Sequence, residues 1–130
     1  MKSTFLSSRA LSMDLGLLIL RLVSGGAMIT HGFPKLQKVV NNNLQFADPR
    51  GVGEGLSLYL ATFAEFFCAI LIILGLQTRL ASIPLIINMA VIFFIVHAAD
   101  PFGDKEMPLL YLGMFLTIFF TGPGKYSVDR

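Results

Sequence analysis

Four apolar stretches, each close to the length that crosses a hydrocarbon layer, follow one another with short polar connections, and this constrains the chain more than any other feature. They cover about residues 15–33, 56–76, 80–99 and 107–121. A helix rises ~1.5 Å per residue, so ~20 residues span the ~30 Å core of a bilayer, and the last, shorter stretch requires tilt or interfacial ends. Inside lipid every backbone N–H and C=O has to be paired within the protein, which leaves helices as the solution for runs of this length. The expected fold is all-α, a polytopic membrane protein built as a four-transmembrane-helix bundle, with residues 1–130 forming one domain. Composition agrees: 55% of residues are apolar and 14% charged, too few charges for a water-facing surface of ordinary kind.

Other classes are disfavoured by placement rather than by number. The ten basic residues are scattered, with no basic stripe, so nucleic acid is not an expected partner despite a net charge of +2. Cys68 stands alone within an apolar run, which excludes an internal disulfide, a CxxC pair or a thiolate cage and reads as packing. The leader MKSTFLSSRALSMD resembles the n-region of a signal sequence, but the following run carries Arg21 and lacks a small-x-small exit, so it reads as an uncleaved signal anchor. His31-Gly32-Phe33-Pro34-Lys35 is expected to end the first helix, because proline disfavours helix at the residue before it. Pro84 predicts a modest kink in the third helix. In the one long loop, LQKVVNNNLQF suits a short interfacial helix and DPRGVGEG a turn. Basic residues near the span ends place Lys2, Arg9, Arg79, Lys125 and Arg130 on one side against Lys35, Lys38, Arg50 and Lys105, which predicts a cytoplasmic N-terminus and C-terminus.

Polar residues inside the spans cost roughly 2.5–3.5 kcal/mol each on insertion scales when charged, so they call for compensation. Counting from the outer ends at ~1.5 Å per residue, Arg21 lies about 18 Å deep, Glu65 about 13 Å, Asn88 about 16 Å and Thr117 about 15 Å. The expectation is a buried polar layer of Arg21, Glu65, Asn88 and Thr117, with Arg21 and Glu65 as its ion pair. Helical phase puts Arg21, Gly25, Met28 and Gly32 on one stripe, Leu58, Glu65 and Ile72 on another, and Glu106, Leu110, Gly113 and Thr117 on a third. Such a layer serves either packing, by mutual neutralisation, or a proton relay or ligand site.

A second constellation is expected at the outer rim: His31, His97 and Glu106, with Asp100 and Asp104 nearby. Imidazoles beside carboxylates suit a transition metal, a haem ligand set or proton exchange with a quinone headgroup. The phase of His97, about 180° from Asn88 on an ideal helix, opposes a common face unless the helix bends. The aspartates of ADPFGDKE read more simply as a turn, with Asp104 starting the fourth helix. No metal site is assigned.

Three stretches, LRLVSGGAMITHGFPKL, LGLQTRLA and GPGKYSVD, resemble the DoxX family of bacterial membrane proteins in order and spacing, over about Leu17 to Asp129. His31, Gly32, Lys35, Arg79, Gly122, Pro123, Gly124 and Tyr126 match its pattern. The resemblance implies a four-helix protein of the bacterial inner membrane, often described as an oxidoreductase because relatives accompany thiosulfate:quinone oxidoreduction or a superoxide dismutase and sulfurtransferase assembly. It carries over no catalytic residue. The expected function is a membrane subunit of a quinone-linked redox assembly, with quinone or a noncovalent haem as candidate cofactors. The alternative is a noncatalytic scaffold, assembly factor or accessory subunit gripping another membrane protein through small residues such as Ala64, Ala69 and Gly113. A transporter or small channel would require a homo-oligomer.

Overall fold

The computed structural model describes residues 6–44 and 53–129. Lys2, Arg50, Arg130 and most of the DPRGVGEG turn lie outside the described residues. Those described form four helices and no strand: α1 (Met13–Val40), α2 (Glu54–Leu74), α3 (Thr78–Val96) and α4 (Phe102–Thr121). The first three are long and apolar enough to cross a membrane. The first turns of α4 carry Asp104, Lys105 and Glu106, which leaves a shorter apolar length from Met107 onward.

Local chemistry explains where α1 begins. Ser12 is its N-cap, with Oγ accepting the Leu15 N–H at 3.2 Å, and Asp14 in the first turn faces the positive end of the helix dipole. Its end corrects the expectation that Pro34 stops the helix at Phe33: α1 runs through Pro34 to Val40. A proline removes one N–H, here the donor to the Thr30 carbonyl, and tertiary contacts on either side of it hold the helix together. Gly32 packs on the α2 backbone and Lys35 forms an ion pair with α2.

Helix α2 departs from α-geometry midway, where Phe63–Cys68 forms π-helical turns, and ends at Gly75 with φ of 70°. There the Leu76 N–H returns to Leu71 O (3.0 Å) and the Gly75 N–H to Ile72 O (3.2 Å), a Schellman closure that needs a left-handed residue at this place. Helix α3 begins after Gln77. It carries Pro84 within regular α-helix, and its own π-helical turns lie later, at Ile92–Val96. Helix α4 contributes Tyr111, Phe115 and Ile118 to the centre.

These side chains meet Met28, Cys68, Ile72, Leu85 and Met89 in one buried core. Phenylalanines and aliphatics such as Ile19, Val23, Phe63, Phe94 and Phe120 are exposed on the outside, as expected of a lipid-facing surface. The C-terminal segment folds back over one end of the bundle: Val128 N–H donates to Leu74 O (3.0 Å), Asp129 N–H to Gly75 O (3.1 Å) and Lys125 N–H to Asp14 Oδ1 (2.9 Å). The start of α1 and the C-terminal segment therefore share an end.

Candidate functional site

At the opposite end α1 and α2 come into backbone contact. A Cβ at Gly32 would overlap the carbonyl of Glu65 and the nitrogen of Phe66, so only glycine permits this approach. The contact falls within the π-helical turns of α2, a geometry frequent at functional positions. Among the residues of these turns is Glu65, 2% exposed.

Both of its carboxylate oxygens are satisfied. Lys35, three residues after Gly32 on the same face of α1, places Nζ at 2.7 Å from Oε1, and Asn88 of α3 donates from Nδ2 to Oε2 at 2.9 Å. Lys35 Nζ also donates to the His31 carbonyl at 3.2 Å. The pair is asymmetric: the Glu65 side chain is 3% exposed, that of Lys35 22%. A carboxylate so deeply placed is sustainable because it is both neutralised and hydrogen-bonded.

Beside this triad lies a cavity of about 400 Å³. Its polar lining is His31, Lys35, Glu65, His97, Asp104 and Tyr111, and methionines from α1, α3 and α4 supply apolar wall. Tyr111, 8% exposed, meets the His31 ring edge-on with centroids 5.8 Å apart and stacks on Phe115 at 6.0 Å. His97 Nδ1 lies 2.8 Å from Asp100 Oδ2. The conflict of phase between His97 and Asn88 is resolved by the π-helical turns at Ile92–Val96, because one extra residue per turn rotates the remainder of the helix by about 100°. Donors, an acceptor carboxylate and soft apolar surface thus converge on one space, the combination that holds a small polar headgroup on an apolar body. Among the described residues no three His, Cys, Asp or Glu side chains are grouped to hold a metal ion.

The expected polar layer divides. Glu65 and Asn88 are bonded to each other, but Arg21 is not their partner. Fully buried, Arg21 donates from Nη1 to Ile72 O (3.3 Å) and Ile73 O (3.0 Å) and from Nη2 to Tyr126 O, at the end capped by the C-terminal segment. The depth count fails because α1 extends past Pro34: Glu65 is level with Gly32, eleven residues or about 16 Å from Arg21. Thr117 is exposed and bonds back to Gly113 O (2.8 Å) on its own helix. The stripe expected on α4 is out of phase: Leu110, Gly113 and Thr117 face outward and Tyr111, Phe115 and Ile118 inward. Glu106 is exposed and absent from the cavity lining, where Asp104 stands instead. On α1 and α2, Arg21, Gly25, Met28 and Gly32, and Leu58, Glu65 and Ile72, are all buried. Ala64 and Ala69 are buried within the chain's own core, which removes them from any surface for a partner, and a Cβ at Gly113 would meet nothing.

Two site residues escape the sequence reading. The proline before Lys35 points to a loop there, although the spacing of three from Gly32 and four from His31 is a signal for a shared helical face. Tyr111 lies off the stripe that the small and polar residues of α4 suggest.

The DoxX family profile matches residues 16–98, from α1 to the turn after α3. The chain belongs to the DoxX family. It is 32% identical over 125 residues to a protein of Haemophilus influenzae described as "Uncharacterized protein", with 88% of each chain covered. It is 28% identical to "Inner membrane protein YqjF" of Escherichia coli, covering 90% of this chain and 92% of that one. It is 25% identical to "Putative oxidoreductase CatD" of Bacillus subtilis, covering 91% and 87%. No solved structure matches the chain. This DoxX protein is a membrane protein, and its apolar helices sit in the lipid bilayer.

Proposed function

We propose that the cavity beside Glu65 binds the headgroup of a quinone and that the protein is a membrane subunit of a quinone-linked redox assembly in the bacterial inner membrane. The observation that carries this reading is the placement of Lys35, His31, Tyr111 and His97 around one space of about 400 Å³, next to a buried carboxylate. In this reading α4 is a fourth span, and the end shared by the start of α1 and the C-terminal segment faces the cytoplasm.

A quinone supplies two-electron, two-proton chemistry when bound, and the electrons come from an electron-donating partner subunit. The residues of this chain bind and orient the headgroup and handle protons. Lys35 and the Tyr111 hydroxyl offer N–H and O–H donors to carbonyl oxygens. His31 and His97, nearer the surface, carry imidazoles that can donate and accept hydrogen bonds and suit exchange with water. Glu65 holds Lys35 in place and Asn88 holds Glu65. The Bacillus subtilis relative named "Putative oxidoreductase CatD" is in keeping with this reading.

The test is purification from native membranes in mild detergent, followed by solvent extraction of quinone and identification of copurifying proteins. Wild type is expected to retain quinone, and His31→Ala and Glu65→Gln to lose it. A partner retained in stoichiometric amount by all three proteins, with no quinone in any, would instead establish the noncatalytic accessory role.

A further inference from the structure

The cavity beside Glu65 has two unlike ends. Near Glu65 stand hydrogen-bond donors. Lys35 Nζ gives one hydrogen to Glu65 and one to the His31 carbonyl, and among the described residues keeps a third for a ligand; the Tyr111 hydroxyl is the other donor. Glu65 itself is taken up by Lys35 and Asn88. At the rim stand His97 and Asp104.

The connection between α3 and α4 sets the state of His97. After the π-helical turns, the Asp100 N–H donates to His97 O at 3.0 Å, and this turn brings the Asp100 carboxylate back to the imidazole, with Oδ2 2.8 Å from Nδ1. Lys105 of α4 lies over the Phe93 ring of α3, 5.2 Å from its centroid, and holds the two helices together beside this turn. A carboxylate only accepts hydrogen bonds, so Nδ1 carries the proton and the neutral ring presents Nε2 as an acceptor. His97 lines the cavity, whereas Asp100 stays outside the lining. The Asp104 carboxylate likewise only accepts.

The cavity therefore offers donors at one end and acceptors at the other. The two oxidation states of a quinone differ in this respect: both oxygens of the quinone only accept, while each hydroxyl of the hydroquinone also donates. With one oxygen on Lys35 and Tyr111, the opposite oxygen meets His97. A carbonyl there sets lone pair against lone pair, and a hydroxyl makes a hydrogen bond. His31, whose ring meets Tyr111 edge-on, can serve either form and does not discriminate.

We propose that His97, positioned by Asp100, makes the site select the hydroquinone over the quinone. The inference rests on the quinone reading of this cavity and adds specificity for oxidation state to it. Tighter binding of the reduced form makes the bound quinone a stronger oxidant, by about 30 mV for each ten-fold of preference in a two-electron couple. That suits a site drawing electrons from a donating partner subunit.

The test is equilibrium titration of the purified full chain in detergent, under nitrogen, with decylubiquinone and with decylubiquinol. Wild type is expected to bind the quinol about ten-fold more tightly than the quinone, the worth of roughly one hydrogen bond. In Asp100→Asn the amide can accept from Nδ1 or donate to it, so the ring takes either tautomer. The preference is then expected to fall to about three-fold or less, with quinone affinity within about two-fold of wild type. His97→Phe is expected to lose the preference, and helicity by circular dichroism to stay unchanged in both variants. Equal affinity of wild type for the two forms, or a preference undiminished in His97→Phe, would overturn the inference and leave the quinone reading in place; a preference undiminished in Asp100→Asn would overturn the positioning role of Asp100. Binding of neither form by wild type would overturn the quinone reading, and the inference with it.

Discussion

The two ends of the bundle each bury a charge, and they do so in opposite ways. Arg21 is surrounded by backbone: three carbonyls from the end of α2 and from the C-terminal segment take its protons. Nothing there is poised to change partner, although Arg21 Nε has none among the described residues. Glu65 is surrounded by side chains from two other helices and stands at the wall of a cavity. A charge bonded to fixed carbonyls locks a fold, whereas one bonded to side chains beside an open space can respond to what enters that space. Arg21 is thus held by the fold itself, and Glu65 is the group on which the proposed function rests, though both are equally improbable residues to find inside a membrane.

The largest expected effect comes from dividing the ion pair. Lys35→Met leaves the Glu65 carboxylate buried without its cation and is expected to cost about 3–5 kcal/mol in denaturant or thermal unfolding in detergent, whereas Lys35→Met with Glu65→Leu recovers much of that loss. Equal damage in the single and double variants would break the assignment of the pair.

Next is the lock. Arg21→Met removes charge-assisted bonds worth ~1.5–3 kcal/mol each in general, and a net loss of roughly 3 kcal/mol is expected. Because Arg21 and Glu65 are about 16 Å apart along the helices, Arg21→Met combined with Glu65→Leu should show additive losses. Rescue in that double variant would restore the direct pairing that the structure contradicts.

A third change acts on the approach of the helices. Gly32→Ala drives a methyl group into the Glu65 backbone and is expected to cost about 1–3 kcal/mol by overpacking while lengthening the Lys35–Glu65 contact. Thermal unfolding of Gly32→Ala in detergent, with and without Lys35→Met, would report whether the contact is weakened. Smallest is Thr117→Val, on a face turned away from the core, with an expected effect within about 0.5 kcal/mol.

Legibility in the sequence divides along similar lines. Regular periodicity identifies the buried stripes of α1 and α2, because seven- and eleven-residue spacings keep one face of an α-helix in register, and it places Glu65 and Asn88 at similar depth. It fails at Pro34, after the π-helical turns of α3 and on α4. The local preference of Pro34 is to end a helix, and packing on both sides overrides it, which moves Lys35 from a loop into the site. The turns at Ile92–Val96 have no composition that marks them, yet they bring His97 round to the cavity. On α4 the polar and small residues Gly113 and Thr117 suggest an inward stripe, while the aromatic face of Tyr111 and Phe115 is the one that packs. The hold of the C-terminal segment on Arg21 joins residues 105 positions apart, beyond the reach of local pattern.

The central claim is that the Lys35–Glu65 pair serves a ligand in the adjoining cavity. Equilibrium titration of the purified protein with a short-chain quinone tests it most directly, comparing wild type, the charge-free Lys35→Met/Glu65→Leu variant and Thr117→Val. Binding weakened at least ten-fold in the charge-free variant alone is the predicted result; equal affinity in all three, or no binding by wild type, would contradict it.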